Sequence, residues 1–204
     1  MSVPILGQRP KIGVDFHGVI GQLDVAWGQY FYSKHPEHSL YELTHPDAYE
    51  FYQRICLECR NHCQKDGELL ASIPPVPGSL WGLRLASKWA SLFLISSPVG
   101  IDPQHTEDWL KAKGVDHLFV KRIFTENKTA ACRENGLDAL IDDSPVNLEP
   151  LFNTPTEPII FDKPYNRHVQ GRVRVRSWAE ILAVLQYVVQ QRQQREQQIG
   201  LVRV

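Results

Sequence analysis

The chain has no long apolar run. No window of its 204 residues approaches the roughly 20 consecutive apolar residues of a membrane-spanning helix, which argues against a membrane partner. It also lacks an excess of either charge. Lys and Arg number 22 and Asp and Glu 23, for a formal net charge of −1, so nothing electrostatic favours a nucleic-acid polymer or an anionic surface. The N-terminus carries no basic segment followed by an apolar one, so no secretory signal is expected. Cysteine is scarce: Cys56, Cys59 and Cys63 crowd one stretch and Cys132 stands apart, which is not a disulfide framework. No internal repeat is visible. A cytoplasmic globule is expected, with a homodimer left open. The apolar fraction of 43% and charged fraction of 22% are ordinary for one, and the length allows one core plus a modest insertion.

Apolar runs predict strands over Lys11–Phe16, Ser91–Ile95, Leu118–Phe124, Asp138–Ile141, Pro158–Phe161 and Arg172–Arg176. Helix patterns separate most of them. Asp102-Pro103 reads as an N-cap followed by a first-turn proline, opening a helix through Trp109 and Leu110 that stops near Gly114. A second helix spans Lys128 to Asn135 and ends on Gly136. Ser177 and Glu180 form a capping box before a final helix containing Ile181, Leu182, Val184, Leu185 and Val188. Strands alternating with helices predict a doubly wound, mainly parallel, Rossmann-like α/β sheet.

One stretch breaks the alternation. Residues 21–75 hold no convincing strand, and Trp27, Tyr30, Phe31, Tyr52, Ile55, Cys56, Cys59 and Cys63 recur at helical spacing. A helical cap over residues 21–75 is expected, inserted into a core of residues 1–20 and 76–204. The cap's aromatics (with Tyr49 and Phe51) could stack on a nucleobase, although helical spacing suits plain core as well. Cys56, Cys59, Cys63 and His62 could offer zinc four ligands. On one helix, however, the thiols would be strung over about 10 Å, so they read as cap packing.

Chemistry-bearing groups cluster at strand ends. Asp15 ends the run Ile12-Gly13-Val14 and is followed by a glycine at Gly18, so a buried strand delivers a carboxylate to the edge where such sheets place ligands. It could act as a nucleophile, bind a hard cation, or merely cap a turn. Asp142 and Asp143 end Ala139-Leu140-Ile141, and adjacent carboxylates there repel unless a cation neutralises them. Ser96 and Ser97 end Leu92-Phe93-Leu94-Ile95 and could hold a phosphate oxygen, or simply shape the turn before Pro98. Lys128 opens a helix, against the helix dipole, a conflict that an anion would offset; the alternative is an exposed lysine.

In this order the set resembles the haloacid dehalogenase-like superfamily of phosphohydrolases, and most closely the 5′(3′)-deoxyribonucleotidase family. The resemblance is carried by Asp15-Phe-His-Gly-Val-Ile20, Ile73-Pro-Pro-Val-Pro-Gly78, Asp108-Trp-Leu110, Asn127-Lys128, Leu140-Ile-Asp-Asp-Ser-Pro145, Phe161-Asp-Lys-Pro-Tyr-Asn166 and Arg176-Ser-Trp178. It implies a Mg²⁺-dependent hydrolase of small phosphomonoesters, nucleotides among them, working through an aspartyl-phosphate on Asp15. It further implies metal binding by Asp15, the backbone carbonyl of His17 and an acid of the pair Asp142–Asp143. Ser96, Ser97 and Lys128 would hold the phosphoryl group.

His17 departs from the pattern, which normally has a second Asp two residues after the nucleophile to protonate the leaving alkoxide. An imidazole can do acid–base work near neutral pH, yet beside Mg²⁺ its protonated form is repelled. Two functions therefore remain: a phosphatase with His17 as acid/base, or a catalytically weak phospholigand-binding relative.

Overall fold

The computed structural model describes residues 9–37, 71–98, 102–170, 173–188 and 190. Cys56, Cys59, Cys63, His62, Tyr49, Phe51 and Tyr52 lie outside the described residues, as does the side chain of Trp27.

Six strands pair in one sheet: β1 (Lys11–Val14), β2 (Ser91–Ser96), β3 (Phe119–Phe124), β4 (Ala139–Asp142), β5 (Glu157–Phe161) and β6 (Val173–Val175). Their order is β3-β2-β1-β4-β5-β6 and every pairing is parallel. This is the expected doubly wound α/β architecture. The helices are α1 (Leu23–Lys34), α2 (Ser79–Ala86), α3 (Pro103–Ala112), α4 (Lys128–Asn135), α5 (Pro145–Leu148) and α6 (residues 178–188). No described helix is long and apolar enough to cross a membrane.

Burial on both faces explains the continuous apolar runs. Leu92 and Leu94 of β2 join one core cluster with Leu83 of α2, Trp109 and Leu110 of α3, and Trp178, Ile181 and Leu185 of α6. Phe93 and Ile95 point the other way, into a second cluster with Ala131 and Cys132 of α4 and Leu148 of α5. Gly13 of β1 lies where a Cβ would come within 2.9 Å of both Leu137 and Leu140, so glycine is what lets that second layer close on the sheet.

The local caps form as their chemistry predicts. Asp102 accepts the Gln104 N–H at 2.9 Å with Pro103 following, and Asn127 accepts the Ala130 N–H at 2.9 Å. Gly136 ends α4 in the left-handed region at φ 61°. Ser177 Oγ accepts the Glu180 N–H at 3.2 Å, but the Glu180 carboxylate reaches back to Arg176 N–H at 2.8 Å, one residue earlier than a standard box.

Several strand ends differ from their predicted limits by a residue or two, three of them for evident local reasons. β1 stops at Val14: Asp15 N–H still pairs with Ile141 O at 2.9 Å, then the Asp15 carboxylate accepts the Phe16 N–H at 2.8 Å and turns the chain out of the sheet. Leu118 belongs to a 3₁₀ turn over Asp116–Leu118. Arg176 falls past β6 because Glu180 takes its N–H.

The inserted segment leaves and re-enters at one crossing. Gly21 bridges Pro75 antiparallel, Gln22 N–H donates to Pro74 O and Val76 N–H to Ile20 O, both at 2.8 Å. Two indoles pin the crossing from below, Trp178 Nε1 donating to Val19 O at 2.9 Å and Trp109 Nε1 to Ile73 O at 2.8 Å.

Candidate active site

The strand order makes β2, β1 and β4 neighbours, so their C-terminal ends deliver Ser96, Asp15 and Asp142–Asp143 to one edge, at the point where the strand order reverses. Lys128, the first residue of α4, reaches into that edge. Its Nζ lies 2.8 Å from Asp15 Oδ1 and 2.6 Å from Asp142 Oδ2, and its side chain is 1% exposed. The two carboxylates are the anions that offset the unfavourable placement of a lysine at a helix start. Burial opposes the charge on Lys128, but Asp142 and Asp15 outweigh it and hold the lysine above its ordinary range.

Several donors hold Asp142 in place. Oδ1 accepts Ser144 N–H at 2.8 Å, and Asn147 Nδ2 lies 3.2 and 3.1 Å from its two oxygens. Asp143 accepts the Tyr165 hydroxyl, and Asn166 Nδ2 donates to both Asp143 O and Phe161 O at 2.8 Å, stapling the loops after β4 and β5. Gly18 adopts φ 73°, and a Cβ there would meet Asp143 Oδ2 at 1.9 Å, so the turn after Asp15 packs directly on this carboxylate. Burial raises both carboxyls of the pair. Asp15 adds to this at Asp142, where Lys128 opposes it, and Asp142 and Asp15 both add to it at Asp143, which stands well above the usual range.

One oxygen each from Asp15, Asp142 and Asp143 lies within 4.8 Å of the others. Three buried carboxyls lie together with one lysine that pairs two of them, and an all-oxygen donor set suits a hard divalent cation. The residues present therefore fit Mg²⁺. Two further atoms are enclosed without a hydrogen-bond partner, Ser96 Oγ and His17 Nε2. Ser96 is wholly buried, and a buried hydroxyl left unpaired costs about 1–3 kcal/mol, which a ligand oxygen would recover. Ser97 is half-buried beside it. The His17 imidazole is pushed down to about 3, by burial first and the Lys128 charge second, with Asp142 opposing; it is neutral at physiological pH.

Asn147, Tyr165 and Asn166 were not singled out by the sequence as site residues. Tyr165-Asn166 follows β5 much as Asp142-Asp143 closes β4, and that position, with the family-like stretch Phe161–Asn166, is the signal they carry.

Comparison with known proteins now adds to this geometry. The family model described as 5′ nucleotidase, deoxy (Pyrimidine), cytosolic type C protein matches residues 9–194. The chain belongs to this nucleotidase family. A relative from Chlorobaculum tepidum is 26% identical over 187 residues, covering 86% of each chain. Another, named 5′(3′)-deoxyribonucleotidase, from Clostridium acetobutylicum, is 23% identical over 177 residues, covering 86% of this chain and 94% of its own. Among solved structures, a haloacid dehalogenase-like family hydrolase from Streptococcus pneumoniae superposes with a TM-score of 0.62 at 12% identity, covering 86% of this chain and 98% of its own. The nucleotidase-family chain is thus a phosphatase built on the haloacid dehalogenase-like fold.

Proposed function

We propose that the chain is a Mg²⁺-dependent phosphohydrolase of small phosphomonoesters, nucleoside monophosphates foremost. The observation that carries this is the convergence of Asp15, Asp142 and Asp143 within 4.8 Å, bridged by Lys128. Asp15 is the nucleophile: Phe16 N–H and Lys128 Nζ both hold its Oδ1 at 2.8 Å, leaving Oδ2 for phosphorus. As the new P–O bond forms, the bond to the leaving alcohol breaks and the alkoxide takes up a proton. Water then attacks the aspartyl-phosphate, loses a proton, and frees inorganic phosphate and the Asp15 carboxylate. Lys128 Nζ and Ser96 Oγ hold the phosphoryl oxygens as charge redistributes. Asp15, Asp142, Asp143 and the His17 carbonyl would hold Mg²⁺, which when bound neutralises phosphoryl charge. Residues 21–75, leaving and returning at the Gly21–Pro75 bridge, serve as a helical cap on a core of residues 1–20 and 76–204.

The test is phosphate release from a panel of nucleoside monophosphates and simple esters, with magnesium and with EDTA. Release that needs magnesium and disappears in Asp15→Asn is expected. Release that survives either change overturns the assignment.

A second reading, a phospholigand binder with weak turnover, turns on His17 alone. A neutral His17 holds no surplus proton for the leaving alkoxide. His17→Asp separates the two: a rise in rate marks the native chain as impaired at proton transfer, and a fall marks His17 as the working acid/base.

A further inference from the structure

Trp109 lies on α3, and its indole reaches the crossing where the inserted segment returns. Its indole N–H donates to Ile73 O, in the segment that returns from the insertion, at 2.8 Å. Its ring meets Phe16 edge-on, with centroids 5.1 Å apart at 81°. Phe16 in turn meets the His17 imidazole edge-on, at 5.2 Å and 77°. Trp109, Phe16 and Ile73 are all buried. The outgoing segment closes the same cluster: a Cβ on Gly21 would lie 3.0 Å from Phe16 and 3.1 Å from Ile73, closer than side chains normally allow.

His17 Nε2 has no hydrogen-bond partner to fix the ring. An imidazole without that restraint takes its orientation from packing, and edge-to-face aromatic pairs are directional. The row Trp109–Phe16–His17 is therefore what aims His17. The same indole anchors the backbone through which the inserted segment is tethered.

We propose that Trp109 is a positioning residue of the phosphoryl-transfer site. It couples the returning segment at Ile73 to the orientation of the His17 ring through Phe16. The kinetic part of this inference rests on the function proposed above; the structural part does not.

Two variants and one control test it. Trp109→Phe keeps an aromatic ring and loses the N–H; Trp109→Leu loses both; Trp81→Phe alters a tryptophan that is 55% exposed. The His17 ring C–H resonances, read by NMR, are expected to shift in Trp109→Leu, to shift less in Trp109→Phe, and to stay in place in the control. An unmoved His17 in Trp109→Leu overturns the proposal; where that variant does not fold, an unmoved His17 in Trp109→Phe does so. In turnover of an aryl phosphate, Trp109→Leu is expected to lower kcat roughly 10- to 100-fold with KM little changed. In a His17→Ala background the same change should add less than about twofold, since residues acting as one unit are not additive. An equal loss in both backgrounds means that Trp109 only supports the fold, and refutes the coupling. A chain inactivated by Asp15→Asn but indifferent to His17→Ala would remove His17 from the chemistry, and with it the kinetic coupling, leaving the NMR shift to decide the positioning. Activity that survives Asp15→Asn would sink the proposed function instead, and the NMR result would still stand by itself.

Discussion

Lys128→Met is the perturbation whose consequence the structure defines most fully. Among the described residues the lysine is the one cation paired with Asp15 and Asp142, at 2.8 and 2.6 Å, and all three side chains are 5% exposed or less. Removing it leaves Asp15 and Asp142 without the ammonium that pairs them, beside the third carboxyl of Asp143. Deleting one partner of a buried ion pair costs about 3–5 kcal/mol, because the remaining charge stays desolvated. For a chain of 204 residues that is a fall in Tm of roughly 6–20 °C. The sign of the pH dependence follows from the raised carboxyls of Asp142 and Asp143. Above the ordinary carboxylate range the folded form retains protons that the unfolded form has released. Stability is then lost as pH rises through the raised values. Without Lys128 those values move higher still, so the deficit must be larger at pH 8 than at pH 5.5. Magnesium at about a hundred times its Kd should restore about 2.7 kcal/mol, by binding the folded form alone. Urea unfolding followed by tryptophan fluorescence, at both pH values and with and without magnesium, reads each of these. A loss under about 1 kcal/mol at pH 8, or one that ignores pH, would refute the reasoning.

Other changes have equally definite outcomes. His17→Asp should raise turnover of alkyl phosphates and nucleotides by about 10²–10⁴, and that of p-nitrophenyl phosphate far less, since only a poor leaving group needs the proton; parallel kinetics on both ester classes check this, and a uniform fall contradicts it. Gly18→Ala places a methyl 1.9 Å from Asp143 Oδ2 at φ +73°, and should cost at least about 1–3 kcal/mol in thermal unfolding along with most activity. Unchanged unfolding and kinetics would mean that this turn does not pack on Asp143. Cys132 is fully buried and its thiol is pushed up to about 12 by burial, with Asp142 adding to it and Lys128 opposing. Iodoacetamide at pH 8 should leave Cys132 unlabelled in the folded protein and label it in urea, as read by peptide mass spectrometry; fast native labelling would contradict its placement.

What was legible in the sequence was whatever one local segment encodes. β1, β2 and β4 are buried on both faces, so each reads as an unbroken apolar run whose first polar residue marks the functional edge of the sheet. Asp15, Ser96 and Asp142 were visible for that reason. The limits of α4 were visible because Asn127 and Gly136 act on adjacent backbone. The interactions that complete the site are not local. Tyr165 meets Asp143 across 22 residues and Trp109 meets Ile73 across 36, through side chains common in any core. Nothing in the spacing of either pair announces the contact. Asn147 is nearer, five residues past Asp142, but it reads as an ordinary polar position on the short helix α5.

Lys128 and His17 show how far a local conflict can be followed. A lysine at a helix start implies a nearby anion without naming it, and the folded chain supplies two, Asp15 and Asp142. A histidine where the family resemblance implies an aspartate raises a question about proton transfer, and the answer depends on surroundings that the sequence does not display. Burial and the Lys128 charge favour the neutral ring, and Phe16 packs edge-on against it. A neutral, well-aimed imidazole can accept a proton from water during hydrolysis of an aspartyl-phosphate more readily than it can donate one to a departing alkoxide. The two halves of the reaction then make unequal demands on His17. Formation of the aspartyl-phosphate should limit nucleotide substrates, whereas its hydrolysis should limit esters of acidic phenols. A pre-steady-state burst of phenol from an aryl phosphate, with no burst of nucleoside from a nucleotide, is the signature expected. Bursts of equal amplitude from both would show that His17 is not what divides the two steps.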